Sequence, residues 1–219
     1  MDTQKTPCTR PCLQDIPDNE TAKRAVEVAL AGGHSVVFIY QQGAPGMELL
    51  QAAEGMAKDA GIPFQGLAAF PCPCGFFGTA TAPCECSLRR IVTYRKTLAR
   101  RIAGFDMGVA MLPPWAKTVR RGEDEEQVMQ RVRRARAFDL KDTTLSADCE
   151  YLLKVHLKVA GASRKAQILK IAATACRLES SDRMRCHHLM EATMSQGLFY
   201  DLRRLLPDAE AATENRIGA

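Results

Sequence analysis

Two closely spaced pairs of cysteines in the segment 71–90 constrain the fold of this chain more than any other feature of its sequence. Residues i and i+2 of an extended segment point to the same side, so each pair can direct two sulfur atoms towards one point. Four converging thiolates are typical of a closed, structural, tetrahedral zinc site. We therefore predict a zinc site, with two disulfides or four unrelated thiols as the alternatives. The four predicted ligands are Cys72, Cys74, Cys84 and Cys86.

The composition indicates a soluble globular protein and disfavours the disulfide alternative. Of the 219 residues, 46% are hydrophobic and 25% charged, and no apolar run is long enough to span a membrane. The N-terminal segment lacks the apolar stretch of a signal peptide, so we expect a cytoplasmic location. In a reducing cytoplasm, clustered cysteines more often bind metal than form disulfides. Cys8 and Cys12 lie in a proline-containing segment without periodicity, and we leave them unassigned.

The first half of the chain alternates helical and strand patterns. The continuous β-branched and aromatic run Ser35–Tyr40 is typical of a strand that is buried on both faces, as in a parallel sheet. Strand, helix and strand at this spacing form a βαβ unit. We predict a small three-stranded parallel α/β sheet with flanking helices. The predicted helices cover 20–31, 47–60 and 88–102, and the predicted strands cover 35–40, 64–70 and 105–112.

The second half is predicted to be entirely helical. An acidic run at 123–126 opens one helix, and arginines close it, an order that complements the helix dipole. Further helices are predicted over 147–160, 163–178 and 183–205. The resulting organisation is a flexible tail at 1–18, an α/β core with the cysteine loop at 19–116, a helical domain at 117–206 and a second tail at 207–219.

Several of these motifs, taken in order, resemble the magnesium-chelatase and ComM branch of the AAA+ ATPases. The family's proline- and cysteine-rich loop and the arginine-rich segment after it have counterparts here. So does its helical lid. The resemblance covers about residues 20 to 206 and implies an AAA+-like core followed by a lid-like bundle. The matching positions are Ala22–Ala25, Ala31–His34, Ala68–Ala69, Pro71–Gly75, Gly78, Cys84, Cys86, Tyr94, Asp106, Gly122–Glu123, Val128, Arg131–Val132, Ala135–Arg136, Ile168–Ala172 and His188–Ala192.

The same comparison shows which catalytic groups of that family are missing. The phosphate-binding loop should contain GxxxxGK[ST], but the chain has QQGAPGME at 41–48, without the lysine or the hydroxyl. There is no room for the acidic Walker B strand. The sensor asparagine and the arginine finger are also absent. The resemblance leaves only a vestigial nucleotide site, with Gly43, Gly46 and Arg164 as its residues, so binding of ATP and magnesium is not expected.

Three functions remain open at this point. The first is a non-hydrolysing relative of this family, acting as a binding or assembly module for a protein partner such as an active relative or another copy of itself. The second is an active AAA+ motor of the DNA branch-migration or metal-chelatase type. The third is a zinc-stabilised nucleic-acid-binding protein, because cationic side chains that track phosphates crowd one predicted helix. These are Arg89, Arg90, Lys96, Arg100 and Arg101. We also expect Arg89 and Arg90 to offset the negative charge of a zinc–thiolate centre.

Overall fold

The computed structural model describes residues 10–114, 122–160 and 162–196. Four sequence predictions fall wholly or partly outside these ranges. They are the tail at 207–219, residues 1–9 of the N-terminal tail, which include Cys8, the domain boundary between 116 and 117, and the end of the last predicted helix, 197–205.

A three-stranded parallel sheet forms the centre of the first half, as predicted. Its strands are β1 (Val36–Tyr40), β2 (Gly66–Ala69) and β3 (Met107–Met111), in the order β2-β1-β3. Val36 is in register with Gly66 on one side and with Met107 on the other. Because β1 is the central strand, its first four residues are all buried.

The two faces of β1 contribute to two separate apolar clusters. Val36 and Phe38 face the larger cluster, whereas Val37 and Ile39 face a smaller one that contains Leu98. This alternation follows from the two-residue period of a strand. It also explains why the β1 sequence is hydrophobic without interruption, since neither face meets water.

Seven α-helices lie in the described residues. The helices α1 and α2 contribute to the larger cluster, and α3 covers the opposite face of the sheet. The remaining four helices form the second half of the chain, with a short 3-10 turn before α6. Their bounds are α1 Glu20–Gly32, α2 Gly46–Asp59, α3 Leu88–Ile102, α4 Glu125–Ala137, α5 Ala147–Ala160, α6 Lys165–Leu178 and α7 Cys186–Met194.

The larger apolar cluster is continuous between the α/β half and the helical half. It includes Val26 of α1, Val132 of α4, Ile168 of α6 and Leu189 of α7, all essentially inaccessible to solvent. Contacts of α1 with α4 and α6 bring these residues together. The two segments that the sequence suggests as separate domains therefore share one core.

Part of the predicted N-terminal tail packs against this core. A 3-10 turn at Leu13–Asp15 buries Leu13 and Ile16, each only 3% exposed. Arg10 forms an ion pair with Glu125 at the start of α4. The prolines in this segment hide any helical periodicity, but two apolar side chains and one arginine are enough to attach residues 10–16 to the body of the protein.

Candidate metal centre

The four cysteines of the two Cys-x-Cys pairs meet at one point, as predicted, and could hold a metal ion. The Sγ atom of Cys72 lies 3.4 Å from that of Cys74 and 3.6 Å from that of Cys84. The Sγ atoms of Cys74 and Cys84 are 3.5 Å apart. All four sulfur atoms, including that of Cys86, lie within 4.8 Å of one another. Cys72 is completely buried and the other three are half-buried.

Two glycines allow the loop between the pairs to fold back on itself. Gly75 has φ +80° and Gly78 has φ +78°, a left-handed conformation that other residues adopt reluctantly. The amide of Gly75 donates to the carbonyl of Cys72 (3.1 Å), which closes a turn around the first pair. Thr79 holds the next turn by donating its hydroxyl to the carbonyl oxygens of Phe76 and Ala82.

The spacing of the sulfur atoms fits a tetrahedral tetrathiolate centre. Zinc–sulfur bonds of about 2.3 Å in a tetrahedron place the sulfurs about 3.8 Å apart, close to the observed separations. Four sulfur ligands fill all the positions of such a centre. The chemistry of this set of ligands is therefore that of a structural site, with no open position for a substrate.

The thiol groups of the cluster have pKa values that diverge in opposite directions. The backbone amide of Phe76 lowers the pKa of Cys74 to about 6. The amide of Cys86 acts in the same sense on Cys84, but burial and the neighbouring sulfur atoms outweigh it and raise the pKa of Cys84 to about 12. Thiolates this close repel one another, so a divalent cation is needed for all four to be deprotonated together.

Arg95 is the cationic side chain that lies beside the cluster, a role that we expected of Arg89 and Arg90. Arg95 is 3% exposed, and its Nε donates to the carbonyl of Pro71 (3.0 Å). Its guanidinium carbon lies 4.2 Å from the ring centroid of Phe77. The pKa of Arg95 is lowered overall, because the effect of burial exceeds the opposing effect of the charges on Cys72 and Cys84. Arg89 and Arg90 are both exposed.

A signal for Arg95 was present in the sequence of α3. The buried residues of this helix are Ile91, Arg95, Leu98 and Ile102, which recur at the spacing of an apolar stripe. An arginine within such a stripe must find acceptors or negative charge in the interior. The preceding cysteine loop supplies both.

The β1–α2 loop contains the residues that the family resemblance predicts as a vestigial phosphate-binding loop. The amide of Gln41 donates to the carbonyl of Met111 (3.3 Å), and that of Gln42 donates to Gly75 (3.1 Å). The amide of Gly46 donates within the loop, to Ala44 (2.9 Å). Amides of this kind cradle phosphate oxygens in a working loop. Here they are already used by carbonyl groups of the protein.

The three residues of the predicted vestigial nucleotide site do not come together. Gly43 and Gly46 follow the carboxyl end of β1. Arg164 is buried, and its guanidinium donates to the carbonyl of Phe105, just before the amino end of β3. Because β1 and β3 are parallel, these positions lie at opposite ends of the strands, one at the carboxyl ends and the other at the amino ends. The ring of Tyr40 also packs directly against Gly46, where a Cβ atom would lie only 2.3 Å from its Cγ.

The predicted basic residues form one exposed face of α3. All five are exposed, and none has a carboxylate within ion-pair distance among the described residues. By contrast, Arg10, Arg24, Arg131 and Arg133 each pair with a glutamate. This basic face consists of Arg89, Arg90, Lys96, Arg100 and Arg101.

A second group of potential ligands, Glu179, His187 and His188, is less suited to metal. The backbone amide of Arg185 donates to Nδ1 of His188 (3.0 Å), so the ring carries its proton on Nε2. This Nε2 lies 3.0 Å from a Glu179 oxygen and donates to it. Burial lowers the pKa of His188. His188 therefore anchors the first turn of α7 as a neutral ring whose two nitrogens are both occupied.

The chain was compared with models of protein families and with curated proteins. No family model matches it, and no curated protein is significantly similar to it. The resemblance to the chelatase and ComM branch thus stays a prediction from the sequence motifs. Among the helices in the described ranges, none is both long enough and apolar enough to cross a bilayer.

Proposed function

We propose that this protein is a non-hydrolysing binding module, related to the chelatase and ComM branch of the AAA+ ATPases, whose cysteine loop is held by structural zinc. In this proposal the α/β core and the helical half are a framework kept after phosphoryl transfer was lost. The protein acts by presenting a surface to a protein partner.

The observation that carries the proposal is the hydrogen bonding of the β1–α2 loop. The amides of Gln41 and Gln42 are directed at Met111 and Gly75 rather than at open space. A nucleotide would have to break these bonds and would gain no lysine or hydroxyl in exchange. Phosphoryl transfer requires charge neutralisation and magnesium binding, and the loop at 41–48 contains neither the lysine nor the hydroxyl that provide them in a working phosphate-binding loop.

Zinc is the metal that we propose for the four cysteines. Soft thiolate ligands select zinc, copper(I) or iron–sulfur clusters, and a compact tetrahedral S₄ set suits a single zinc ion. Zinc would supply two positive charges to four thiolates, leaving about two net negative charges for Arg95 and nearby amides to balance. Because Gly75 accepts from Gln42, a metal-held loop would also fix the β1–α2 loop in its closed arrangement.

Titration calorimetry with nucleotide tests this proposal. Zinc-loaded protein, with its metal content measured and its fold checked by circular dichroism, is titrated with ATP or ADP in the presence of magnesium. The expected result is no binding heat and no ATP turnover above background. A working P-loop ATPase, measured under the same conditions as a control, should show both binding heat and turnover. Micromolar nucleotide binding or magnesium-dependent turnover would support the motor alternative instead.

A second candidate, nucleic-acid binding, is favoured by the basic face of α3. Five exposed cations on one 15-residue helix, without carboxylate partners in the described part of the chain, form a strip that can track phosphates. Neighbouring positions Thr93 and Thr97 lie between them on the same side of the helix. The helix begins at Leu88, two residues after Cys86, and Ser87 caps it by accepting from the amide of Arg90 (3.4 Å). The metal centre would therefore hold the start of this strip.

The salt dependence of oligonucleotide binding decides on this second candidate. Contact of all five cations with single-stranded DNA predicts that the logarithm of the binding constant falls with the logarithm of salt with a slope of about −3.5. The variant R89Q/K96Q/R100Q should reduce that slope by about 2. The matched control is K58Q/K141Q/K154Q, which removes three exposed charges elsewhere. Binding that is insensitive to salt, or equal losses in both variants, would reject the basic face as a phosphate-binding site.

A further inference from the structure

Two cysteines outside the metal cluster lie closer together than Cys72, Cys74 and Cys84 lie to one another within it. The Sγ atoms of Cys149 and Cys186 are 2.8 Å apart, although 37 positions separate the residues in the sequence. A disulfide requires about 2.05 Å, so a shift of less than about 1 Å brings the two sulfurs to bonding distance. Cys149 lies in α5, and Cys186 is the first residue of α7, which packs against α5.

The surroundings of the pair give a reagent access to one sulfur and protect the other. Cys186 is partly exposed and borders a surface cavity of about 520 Å³, also lined by His156 and Met190. Cys149 is only 1% exposed. This arrangement suits a thiol–disulfide exchange in which the accessible Cys186 reacts first with an external disulfide and the buried Cys149 reacts second. The hydrogen bond with Cys149 and burial raise the pKa of Cys186, so the exchange is expected to be slow at neutral pH.

We propose that Cys149 and Cys186 form a reversible disulfide that fastens α5 to α7. The oxidant is a small-molecule disulfide of the glutathione type. The Cys186 thiolate attacks one of its sulfurs, and one glutathione thiolate leaves. The Cys149 thiolate then attacks the Cys186 sulfur in the mixed disulfide, and the second glutathione thiolate leaves. Two cysteine thiols are oxidised, one glutathione disulfide is reduced, and the two released protons go to the glutathione thiolates.

The bond would also stabilise the β3 edge of the sheet. Ser195 and Gln196, directly after α7, lie beside β3, where the amide of Gly108 donates to the carbonyl of Ser195 (2.7 Å). The side-chain amide of Gln196 donates to the carbonyl of Asp106. Fixing α7 to α5 therefore restrains the segment that covers this edge. We expect slower hydrogen exchange at Gly108 in the oxidised protein and a melting temperature that rises by about 5 °C or more.

Peptide mapping of the zinc-loaded protein tests the disulfide. The protein is equilibrated in glutathione redox buffers at about pH 8.5, near the pKa of a free thiol, then alkylated and digested. The expected result is a peptide pair linked through Cys149 and Cys186, loss of two free thiols, retention of zinc and reversal by excess reduced glutathione. Cys149→Ser and Cys186→Ser should abolish the linked pair. Cys176→Ser, a matched control at another buried thiol, should leave it intact.

The wild-type protein alone is enough to overturn the proposal if a variant fails to fold. If Cys149 and Cys186 both remain alkylatable in folded protein at the most oxidising ratio, the pair does not form a disulfide. A mixed disulfide with glutathione that accumulates at Cys186 without resolving would contradict the second step. Linkage of either residue to a cysteine of the metal cluster would contradict the assignment of partners.

Discussion

Replacing Cys72 or Cys84 with serine should abolish stoichiometric zinc binding and lower the free energy of unfolding by several kcal/mol. A hydroxyl is a poor substitute for a soft thiolate ligand, and the free energy of binding a structural metal contributes directly to folding. Cys72 should show the larger effect because it is completely buried, whereas Cys84 is half-buried. The measurements are metal analysis of the purified variants and urea unfolding followed by circular dichroism.

Cys176→Ser is the control for this first prediction. Cys176 is buried like Cys72, but its sulfur lies 3.3 Å from the carbonyl of Ser181 and belongs to no cluster. Its replacement removes one thiol without removing a ligand, so zinc should be retained in full. Stoichiometric zinc in both Cys72→Ser and Cys84→Ser would contradict the four-cysteine assignment.

Replacing Glu27 with alanine should destabilise the protein by about 3 kcal/mol. The Glu27 side chain is only 5% exposed and lies between Arg24 (2.7 Å) and Arg131, so it joins α1 to α4. Its loss leaves two partly buried guanidinium groups facing each other. The expected effect lies at the low end for buried ion pairs because Glu191 and Glu123 still pair with these arginines.

The matched control for Glu27 is Glu126→Ala on α4. Glu126 pairs with Arg133 at 2.9 Å, but both side chains are more than half exposed, so the loss should be below about 1 kcal/mol. Urea unfolding of both variants measures the difference, with unchanged m-values as the check that the unfolding transition is comparable. If both variants lose equally little free energy of unfolding, the buried ion pairs of Glu27 contribute little to the packing of α1 against α4.

The features that depend on local pattern could be predicted from the sequence. The continuous apolar run before Gln41 indicated a strand buried on both faces, which is β1, and α5 was predicted with its observed bounds, Ala147–Ala160. The Cys-x-Cys spacing indicated the cysteine cluster, because side chains at i and i+2 of an extended segment point to the same side. The order of strands and helices then indicated a parallel sheet.

The features that sequence reasoning missed depend on partners far apart in the chain. The contact of Cys149 with Cys186 spans 37 positions, and Arg10 meets Glu125 across 115. For Arg95, the sequence of α3 indicated a buried position but not its contact with Pro71, 24 positions away. No local pattern encodes such distances. The continuous core between the two halves was missed for the same reason, since the change of composition near residue 116 indicated a domain boundary.

One zinc ion held by four thiolates is central to the proposed function of this protein, and X-ray absorption at the zinc edge tests for it directly. Protein purified without added metal should contain one zinc ion per chain. Its spectrum should fit four sulfur neighbours at about 2.3 Å, with no nitrogen or oxygen in the first coordination shell. Absence of zinc, or a centre with nitrogen or oxygen ligands in place of any of the four sulfurs, would contradict the central claim.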